Sequence, residues 1–550
     1  MPEHLPPTLP HAARGKGLRP SEAPIRYGSS ASTHVPAPVE RRSLLSAKLF
    51  WRSISVMAVS VLLAAPTYSR AEPMPDVYPA GLDRFYRQQL EWKPCGVENL
   101  DKAGGECADV LVPLDYGHPG DRTITVAISR VKASDPARRR GVLLSNPGGP
   151  GGPGLDSVDL LGDVLSPDVL ASHDLIGMDP RGVGESGRTP RCGWPVGEMV
   201  RSAGLDPLGF AHDTVQSAGM AASCVIRDPI MLRQLTTRNT ARDIDIVRAA
   251  LGEQKINFYG LSYGTYLGAV FTQMFPERSD RIVLDSAIDP DRYWTGLVQD
   301  WGPADEIALD DWAVWAAARD DEFRLGATPR QVRATVEELV RVVARQPVVI
   351  DGFAIDDHWF PFILHALLTN FRLNEALAAT VREIADDAGG PPTTSRTPRL
   401  RAIVQALRDN ENSVLAQIAC GDVGAPIDPT WYWRNIEQTR ATQPVFGALA
   451  GNIQPCAFWP RPVEAPTVVR NAVPALIVQA TGDPRTPYAH GVRLHQFLSE
   501  SRMVTLRDVR IHMTFRPELS SCVNNAINAY FGAGALPETD TTCAADETAS

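Results

Sequence analysis

The sequence contains no run of about 20 consecutive apolar residues, the length that a membrane-spanning helix needs. The apolar stretch ISVMAVSVLLAA, at residues 54–65, is shorter and is followed by Pro66. Ser69 and Ala71 then supply small residues at the minus-three and minus-one positions of a cleavage site. The basic residues before the stretch are Arg41, Arg42, Lys48 and Arg52. This pattern predicts a signal peptide and a disordered N-terminal extension over residues 1–71, with cleavage after Ala71.

Two other interpretations of the N-terminal region stay open. The apolar stretch could act as a single anchor helix, and Arg41-Arg42-Ser43-Leu44-Leu45 faintly resembles a twin-arginine signal. Lys48 and Arg52 interrupt what would be the apolar core of that signal, which favours the general secretory route. All of these interpretations predict an exported protein, periplasmic or extracellular, and the favoured one leaves no stable membrane span after processing.

Acidic residues outnumber basic residues downstream of the predicted cleavage site. Residues 1–71 hold nine of the 54 Lys and Arg residues but only three of the 64 Asp and Glu residues. The mature chain would therefore carry 45 basic and 61 acidic groups, a net charge of about −16 instead of −10. Such a surface repels nucleic acid, so we expect no nucleic-acid partner.

The sequence also lacks a C-x-x-C pair, although it has eight cysteines, all of them after residue 71. Cysteines that lie this far apart favour disulfides over a zinc site, as does an oxidising compartment. Their spacing predicts four local pairs: Cys95 with Cys107, Cys192 with Cys224, Cys420 with Cys456, and Cys522 with Cys543. No metal and no organic cofactor is signalled.

The mature region contains no internal repeat. Strand-like and helix-like segments alternate along it. CADVLVPLDY and TITVAISRV suit antiparallel strands, and the apolar runs GVLLS (141–145) and DLIGM (174–178) suit buried parallel strands. The segment NTARDIDIVRAALG predicts a helix with Thr240 as N-cap, leading to the strand INFYG. We therefore predict an α/β protein with a mostly parallel sheet flanked by helices.

The strand pattern stops after RIVLDSAIDP, the sixth predicted strand, and returns at PALIVQA (474–480) and SRMVTLRDV (501–509). The intervening segment is mainly helix-like, so we predict a helical cap inserted into the sheet domain. The predicted boundaries are residues 72–290 for the first part of the core, 291–445 for the cap and 446–550 for the C-terminal part of the core, which carries the acid and the base.

Ser262 lies in GLSYG, between the strand INFYG and the helix-like TYLGAVFTQMF. An α/β-hydrolase presents its nucleophile on this kind of strand-to-helix turn, so we predict the α/β-hydrolase fold. For the acid we predict Asp483, in the loop after ALIVQA, with Asp285 as the alternative. For the base we predict His512, after the last strand, which completes the chain order serine, aspartate, histidine. His490 and His495 compete for this role, but AHGVRLHQFL predicts a surface helix for them.

The oxyanion hole is expected to combine two backbone amides. One belongs to Tyr263, directly after the nucleophile, and the other to Gly149 in the loop NPGGPGGPG that follows GVLLS. The glycines of this loop would allow a close approach to a substrate carbonyl. The alternative is that the loop serves only as a flexible linker.

Several motifs together resemble the secreted tripeptidyl aminopeptidases, α/β-hydrolases related to the prolyl aminopeptidases. The motifs are NPGGPGGPG, GMDPRGVGES, TTRNTARDIDIVRAALGEQKINFYGLSYGTYLGAVF, RIVLDSAIDP, QIACGD, QATGDPRTPY and SSCVNNAINAYF. The resemblance spans roughly residues 90–545. It implies serine peptidase activity on short peptide substrates, with Ser262 as nucleophile, Asp483 as acid and His512 as base. Family members usually have His-Gly at the base, whereas this chain has His512-Met513. The resemblance also implies the local disulfides.

Two other functions compete with an aminopeptidase. A secreted esterase or small-amide hydrolase could use the same triad, and a non-catalytic binding protein could retain the fold. An aminopeptidase must also bind a free α-ammonium group, for which carboxylates are suited. Carboxylates are frequent at the start of the cap, where most of them suit a solvated helix face. They are Asp305, Glu306, Asp310, Asp311, Asp320, Asp321 and Glu322.

Overall fold

The computed structural model describes residues 80–187, 189, 191–194, 199–388, 398–409 and 412–547. The chain divides into two units, Met1–Pro75 and Asp76–Ser550, and the first lies wholly outside the described residues. The predicted signal peptide therefore lies outside them as well. Within the described part, no helix is both long enough and apolar enough to cross a bilayer.

The secondary structure alternates between strands and helices up to residue 285 and then becomes mainly helical. The strands are β1 (Glu106–Pro113), β2 (Thr123–Val131), β3 (Gly141–Asn146), β4 (His173–Met178), β5 (Ile256–Leu261), β6 (Ser279–Asp285), β7 (Val348–Ile350), β8 (Phe353–Ile355), β9 (Ala475–Ala480), β10 (Arg502–Leu506) and β11 (Thr541–Cys543).

The helices before the sixth strand are α1 (Asp83–Tyr86), α2 (Glu98–Lys102), α3 (Ser157–Val164), α4 (Pro167–Ser172), α5 (Pro207–Val225), α6 (Pro229–Leu232), α7 (Thr237–Ala250) and α8 (Tyr263–Met274). Those after it are α9 (Thr295–Ala317), α10 (Asp320–Phe323), α11 (Pro329–Arg345), α12 (Phe360–Leu367), α13 (Asn374–Asp387), α14 (Pro398–Asp409), α15 (Ser413–Asp422), α16 (Pro429–Thr439), α17 (Gly447–Ala450), α18 (Tyr488–Phe497) and α19 (Ser521–Ala533).

A nine-stranded sheet within the described residues has the order β1-β2-β4-β3-β5-β6-β9-β10-β11. β1 pairs antiparallel with β2, and β2 pairs antiparallel with β4. The remaining neighbours are parallel. The predicted α/β-hydrolase fold, with an antiparallel start and a mostly parallel sheet, is confirmed. The carboxyl ends of β3, β5, β6 and β9 consequently meet at one edge of the sheet, where ligands bind in such folds.

Strands β3, β5 and β9 are buried along their whole length because helices cover both faces of the sheet. Alternate residues of β5 point to opposite faces: Phe258 belongs to one hydrophobic cluster and Tyr259 to another. This double burial explains the continuous apolar runs in the sequence.

The cap has a hydrophobic cluster of its own, built around Trp312 of α9 and Phe360 of α12. It also contains the β7–β8 hairpin, which the sequence pattern does not reveal because each strand has only three residues. Helix α15 packs on the main core, since its residues Ala416 and Cys420 belong to the main core cluster, as do Leu297 and Trp301 of α9.

Two helices differ from the prediction. Helix α7 begins at Thr237, with Thr236 as N-cap accepting the amide of Asn239, so the predicted N-cap Thr240 is wrong and lies inside the helix. Helix α5 was not predicted. Its sequence carries little amphipathic pattern, and the side chain of Asp206 caps it by accepting the amides of Leu208 and Gly209.

Four disulfides join Cys95 to Cys107, Cys192 to Cys224, Cys420 to Cys456, and Cys522 to Cys543. These are the pairs that the spacing predicts. The third disulfide links α15 to the segment that leads back into the sheet domain, so it closes the end of the cap onto the core.

Candidate active site

Ser262 occupies a strained turn between β5 and α8, with φ 56° and ψ −120°. Both flanking glycines are required by space: a Cβ on Gly260 would lie 2.3 Å from the carbonyl oxygen of Gly264, and one on Gly264 would lie 2.6 Å from that of Asn146. A left-handed serine between two such glycines is the geometry of a nucleophile elbow, which exposes the hydroxyl at the carboxyl edge of the sheet.

Asp483 lies in the loop directly after β9 and is buried. Its Oδ1 accepts the backbone amides of Arg485 at 2.8 Å and Thr486 at 3.0 Å, and its Oδ2 accepts the hydroxyl of Thr486 at 2.8 Å. These donors fix the orientation of the carboxylate and compensate for its burial.

His512 and Asp483 are hydrogen-bonded. Nδ1 of His512 lies 2.9 Å from Oδ2 of Asp483 and 3.1 Å from Oδ1. An ionised carboxylate only accepts, so Nδ1 carries the proton and Nε2 is left as the basic nitrogen. The backbone amide of His512 donates to the carbonyl of Thr369 at 2.9 Å, which connects His512 to the cap.

Asp285 connects the serine turn to the loop that carries the base. Its carbonyl accepts the backbone amide of Ser262 at 2.9 Å. Its carboxylate accepts the backbone amides of Thr514 and Phe515 and the hydroxyls of Thr514 and Tyr259. Asp285, the alternative acid, is therefore hydrogen-bonded to the residues that follow His512, whereas Asp483 is hydrogen-bonded to His512 itself.

The glycine loop packs directly on the serine turn. Gly148 has φ 97°, and a Cβ there would lie 2.6 Å from the carbonyl oxygen of Leu261 and 3.3 Å from the amide nitrogen of Tyr263. Gly149 follows with φ 110°, and the loop closes on itself through a hydrogen bond from Gly152 to Gly148. The loop is thus a folded wall of the site, and it brings the Gly149 segment beside the Tyr263 amide.

The competing histidines lie on α18 and have other partners. Nε2 of His490 donates to Asp300 at 2.9 Å, while its Nδ1 accepts the amide of Asp289 at 3.1 Å. His495 is hydrogen-bonded to Ser501. The helix was predicted. The predicted surface position of His490 is wrong, because its side chain is buried against the segment that follows β6.

Five of the seven carboxylates at the start of the cap are partly or fully exposed, as expected for a solvated helix face, and the other two, Asp305 and Glu306, are buried. Oδ2 of Asp305 lies 2.6 Å from Nδ1 of His365, and burial raises the pKa of Asp305 and lowers that of His365. Glu306 accepts the backbone amides of Val445 and Phe446. Both carboxylates thus hold the cap together.

A network that the sequence pattern did not single out supports the serine turn from beneath. The hydroxyl of Tyr263 donates to Oγ1 of Thr237 at 2.6 Å, and that oxygen donates to Oδ2 of Asp422 at 2.6 Å. The amide of Thr237 donates to Oδ1 of Asp422, also at 2.6 Å. Burial raises the pKa of Asp422 to about 7. Asp422 ends α15, so the network joins the cap to the residue whose amide is the expected oxyanion donor.

Comparison with known proteins places two family models on the chain. Residues 141–335 match the alpha/beta hydrolase fold, and residues 443–543 match the TAP-like protein family. A tripeptidyl aminopeptidase of Streptomyces lividans is 33% identical over 84% of this chain and 88% of its own length.

Two mycobacterial proteins are also similar. The serine protease Hip1 of Mycobacterium tuberculosis is 28% identical over 83% of this chain and 91% of its own length. A protein of the same organism named carboxylesterase B is 29% identical over 92% of this chain and 99% of its own length.

Proposed function

The chain belongs to the tripeptidyl aminopeptidase family of α/β-hydrolases, and on that premise we propose that it is an aminopeptidase that releases short N-terminal peptides or residues from peptides through an acyl-enzyme. It is a serine peptidase or hydrolase of the tripeptidyl aminopeptidase type. The proposal assigns the nucleophile to Ser262, the base to His512 and the acid to Asp483. It assigns the oxyanion hole to the backbone amides of Tyr263 and Gly149.

The proposed reaction proceeds in two acyl-transfer steps. Nε2 of His512 takes the proton of the Ser262 hydroxyl as the oxygen attacks the scissile carbonyl, and the oxyanion accepts the two amides. The C–N bond then breaks as the imidazolium gives its proton to the leaving amine. Water attacks the acyl-enzyme with His512 again as base, which releases the acyl peptide and restores the serine. Asp483 keeps the proton on Nδ1 and stabilises the imidazolium.

The observation that carries this proposal is the hydrogen bond between Nδ1 of His512 and Oδ2 of Asp483, at 2.9 Å. It leaves Nε2 as the basic nitrogen, on a loop that is fixed to Asp285. Asp285 also accepts the amide of the strained Ser262, so the loop that carries His512 and the turn that carries Ser262 are both fixed to the end of β6.

The cap supports restriction to short or unfolded peptides. It contacts the base through the hydrogen bond from His512 to Thr369. It also contacts the glycine loop, because a Cβ on Gly151 would lie 3.1 Å from the amide nitrogen of Leu415 in α15. A cap that contacts both the His512 loop and the glycine loop limits access to the site, which favours chain ends over folded proteins.

Export is part of the proposal. The four disulfides are those of a protein that folds in an oxidising compartment, and the signal-peptide pattern precedes them in the sequence. The test is to express the full chain in an actinobacterial or Gram-negative host and determine the N-terminus and intact mass of the protein outside the cytoplasm. An N-terminus at Glu72 is expected, and a chain that retains residues 54–65 would instead indicate an anchor.

An esterase is the second candidate function, favoured by the similarity to the protein named carboxylesterase B. The same triad hydrolyses esters and amides, and the family alone does not separate the two activities. The deciding feature is whether the enzyme requires a free α-ammonium group on its substrate.

A pair of substrates tests this requirement. A tripeptide p-nitroanilide with a free N-terminus is compared with its N-acetylated form, and Ser262→Ala is the blank. The proposal expects kcat/KM to be at least about 100-fold higher for the free form, because a charged group lost from a binding site costs several kcal/mol. Equal hydrolysis of both, or hydrolysis of p-nitrophenyl esters alone, would indicate an amidase or esterase instead.

Labelling with a fluorophosphonate separates either enzyme from a non-catalytic binding protein. The probe reacts only with a serine that a base has activated. Wild type is expected to be labelled at Ser262, while Ser262→Ala and His512→Ala are not. Asp508→Ala, at an exposed position between β10 and the base, is the matched control that keeps labelling.

A further inference from the structure

The loop that carries Asp483 contacts the cap as well as the sheet. Nε1 of Trp301, in the cap helix α9, donates to the backbone carbonyl of Arg485 at 2.7 Å. Trp301 is buried, and the guanidinium carbon of Arg485 lies 5.2 Å from the centre of its ring. A side chain of the cap therefore bonds to the backbone two residues after the proposed acid.

The carbonyl of Arg485 and the amide of Thr486 belong to one peptide group. The carbonyl accepts the indole N–H of Trp301, while the amide donates to Oδ1 of Asp483 at 3.0 Å. Because a peptide group is planar, an indole that fixes the direction of the C=O also fixes the direction of the N–H. A hydrogen bond accepted at the oxygen also polarises the group, which strengthens the donor at its nitrogen. A single rigid group thus connects Trp301 to the carboxylate of Asp483.

The cap also fixes the orientation of the indole and the chain beyond the loop. The ring of Trp301 packs on the ring of His365, with 4.7 Å between their centres. Asp300, the residue before Trp301, accepts Nε2 of His490 in α18 at 2.9 Å. Helix α9 therefore contacts the chain at Arg485 and again at His490, so the segment between these two positions is fixed against the cap.

We propose that Trp301 is a positioning residue for Asp483, so that the cap helps to orient the catalytic groups in addition to limiting access to them. The inference rests on the proposed function, in which Asp483 is the acid. Asp483 is hydrogen-bonded to His512 at 2.9 Å, so the direction of the carboxylate sets the direction of the imidazole. Trp301 acts through Asp483 and does not itself contact the reacting atoms.

Replacing Trp301 with phenylalanine in the full chain removes the N–H and keeps an aromatic ring. The amide of Arg485 and the hydroxyl of Thr486 still donate to Asp483, so the carboxylate is held less firmly but is not released. Misplacing a catalytic group by about 1 Å costs about 100-fold, so for this partial effect we expect kcat for the tripeptide p-nitroanilide to fall about 10-fold, with KM changed by less than about 2-fold.

A second variant separates the hydrogen bond from the packing of the ring. Benzothienylalanine at position 301 has sulfur in place of the N–H and keeps the double ring, so the contact with His365 is retained. It should lower kcat as much as Trp301→Phe does. A fully active benzothienylalanine variant would overturn the inference, because the hydrogen bond would then not be needed.

The rate of fluorophosphonate labelling at Ser262 distinguishes orientation of the acid from binding of the substrate. The probe needs an activated serine but none of the contacts that a peptide makes. Trp301→Phe should slow labelling about 10-fold, the same factor by which it lowers kcat. Unchanged labelling together with a raised KM would overturn the inference, because Trp301 would then bind the substrate.

The double variant with Asp483→Asn tests whether Trp301 acts through Asp483. Two residues that act as a unit have non-additive effects on a rate, so in the Asp483→Asn background Trp301→Phe should slow labelling by less than about 2-fold. A further loss of about 10-fold in that background would overturn the inference, since Trp301 would then act by another route.

Trp194→Phe is the matched control. Trp194 and Trp301 both belong to the main core cluster with 8% of their surface exposed, and Nε1 of Trp194 also donates to a backbone carbonyl, that of Met220, at 3.2 Å. Both variants should lower the urea midpoint by similar amounts, but Trp194→Phe should keep kcat and the labelling rate. Equal activity losses in the two variants would overturn the inference, because activity would then follow stability.

The same measurements separate this inference from the proposed function. An inactive Asp483→Asn together with a fully active Trp301→Phe would overturn the inference alone. A fully active Asp483→Asn would overturn both the inference and the proposed role of Asp483 as the acid.

Discussion

The carboxylate of Asp285 accepts the backbone amide of Thr514 on both of its oxygens, at 3.1 and 3.0 Å. Thr514 is two residues from His512, so a buried aspartate at the end of β6 sets the course of the loop that carries the base. The carbonyl of the same residue accepts the amide of Ser262. Ser262 and His512, the proposed nucleophile and base, are 250 residues apart in sequence. Asp285 thereby holds both of their loops at the end of β6.

Replacing Asp285 with alanine should lower both stability and activity. The change leaves the amides of Thr514 and Phe515 and the hydroxyl of Tyr259 without their hydrogen-bond acceptor. We therefore expect the free energy of unfolding to fall by at least about 3 kcal/mol. A shifted base should lower kcat about 100-fold. Urea unfolding and tripeptide hydrolysis measure the two effects. Asp280→Ala, exposed on the same strand, is the control and should change neither.

Asp483→Asn should remove most of the activity without unfolding the protein. An asparagine amide can donate to Nδ1 of His512 and so favour the tautomer with the proton on Nε2, which cannot accept the serine proton. We expect kcat to fall about 10³- to 10⁴-fold with an unchanged circular dichroism spectrum. A larger effect from Asp285→Asn than from Asp483→Asn would assign the acid to Asp285 instead.

Asp422 should make stability depend on pH. Burial raises its pKa to about 7 in the folded protein, whereas the unfolded chain has an ordinary aspartate near 3.9. The folded state thus keeps a proton that the unfolded state releases. The stability it contributes is fully present below about pH 4 and is lost as the pH rises through about 7, by about 4 kcal/mol in total.

The measurement is the unfolding free energy of wild type and of Asp422→Asn between pH 4.5 and 7.5. The stability of wild type relative to the variant should decrease as the pH rises, because the asparagine stays neutral throughout. Asp321→Asn, at an exposed position of the cap, should give a difference that does not change with pH. A constant difference for Asp422→Asn as well would mean that Asp422 does not hold a proton in the folded state.

Loss of the Cys420–Cys456 disulfide should cost more than loss of the Cys95–Cys107 disulfide. The first closes 36 residues and the second 12, so chain entropy predicts about 4 and about 3 kcal/mol respectively. Cys420 also lies two positions before Asp422, so the double variant Cys420→Ser/Cys456→Ser should lower activity as well. The Cys95→Ser/Cys107→Ser variant should keep it. Thermal unfolding and tripeptide hydrolysis are the measurements, and equal activity losses would contradict this account.

Local chemistry made several features predictable. The turn at Ser262 is visible in the sequence because both glycines of GLSYG are required by space, and the strand and helix on either side have clear patterns. Local cysteine pairs follow from their spacing. Elements without such patterns were missed: the three-residue strands β7 and β8, and helix α5, whose apolar residues do not concentrate on one face.

The remaining features depend on residues that are distant in sequence. His490 has the pattern of a surface helix, yet the segment after β6 covers it. Asp422 and Thr237 are 185 residues apart, and neither stretch indicates by itself that the two bind the hydroxyl of Tyr263. The two residues come into contact only because α15 packs on α7 in the folded protein.

By itself, the sequence determined the hydrolase fold, the place of the cap after the sixth strand and the residues expected at the nucleophile turn, because hydrophobic periodicity and glycine sterics act over a few residues. The tertiary structure alone decided the distinct partners of Asp483 and Asp285, one bonded to the base and the other to the loop behind it. It also decided that Trp301 of the cap contacts the loop that carries Asp483. These outcomes depend on how strand ends and loops meet at one edge of the sheet, and no short segment contains that information.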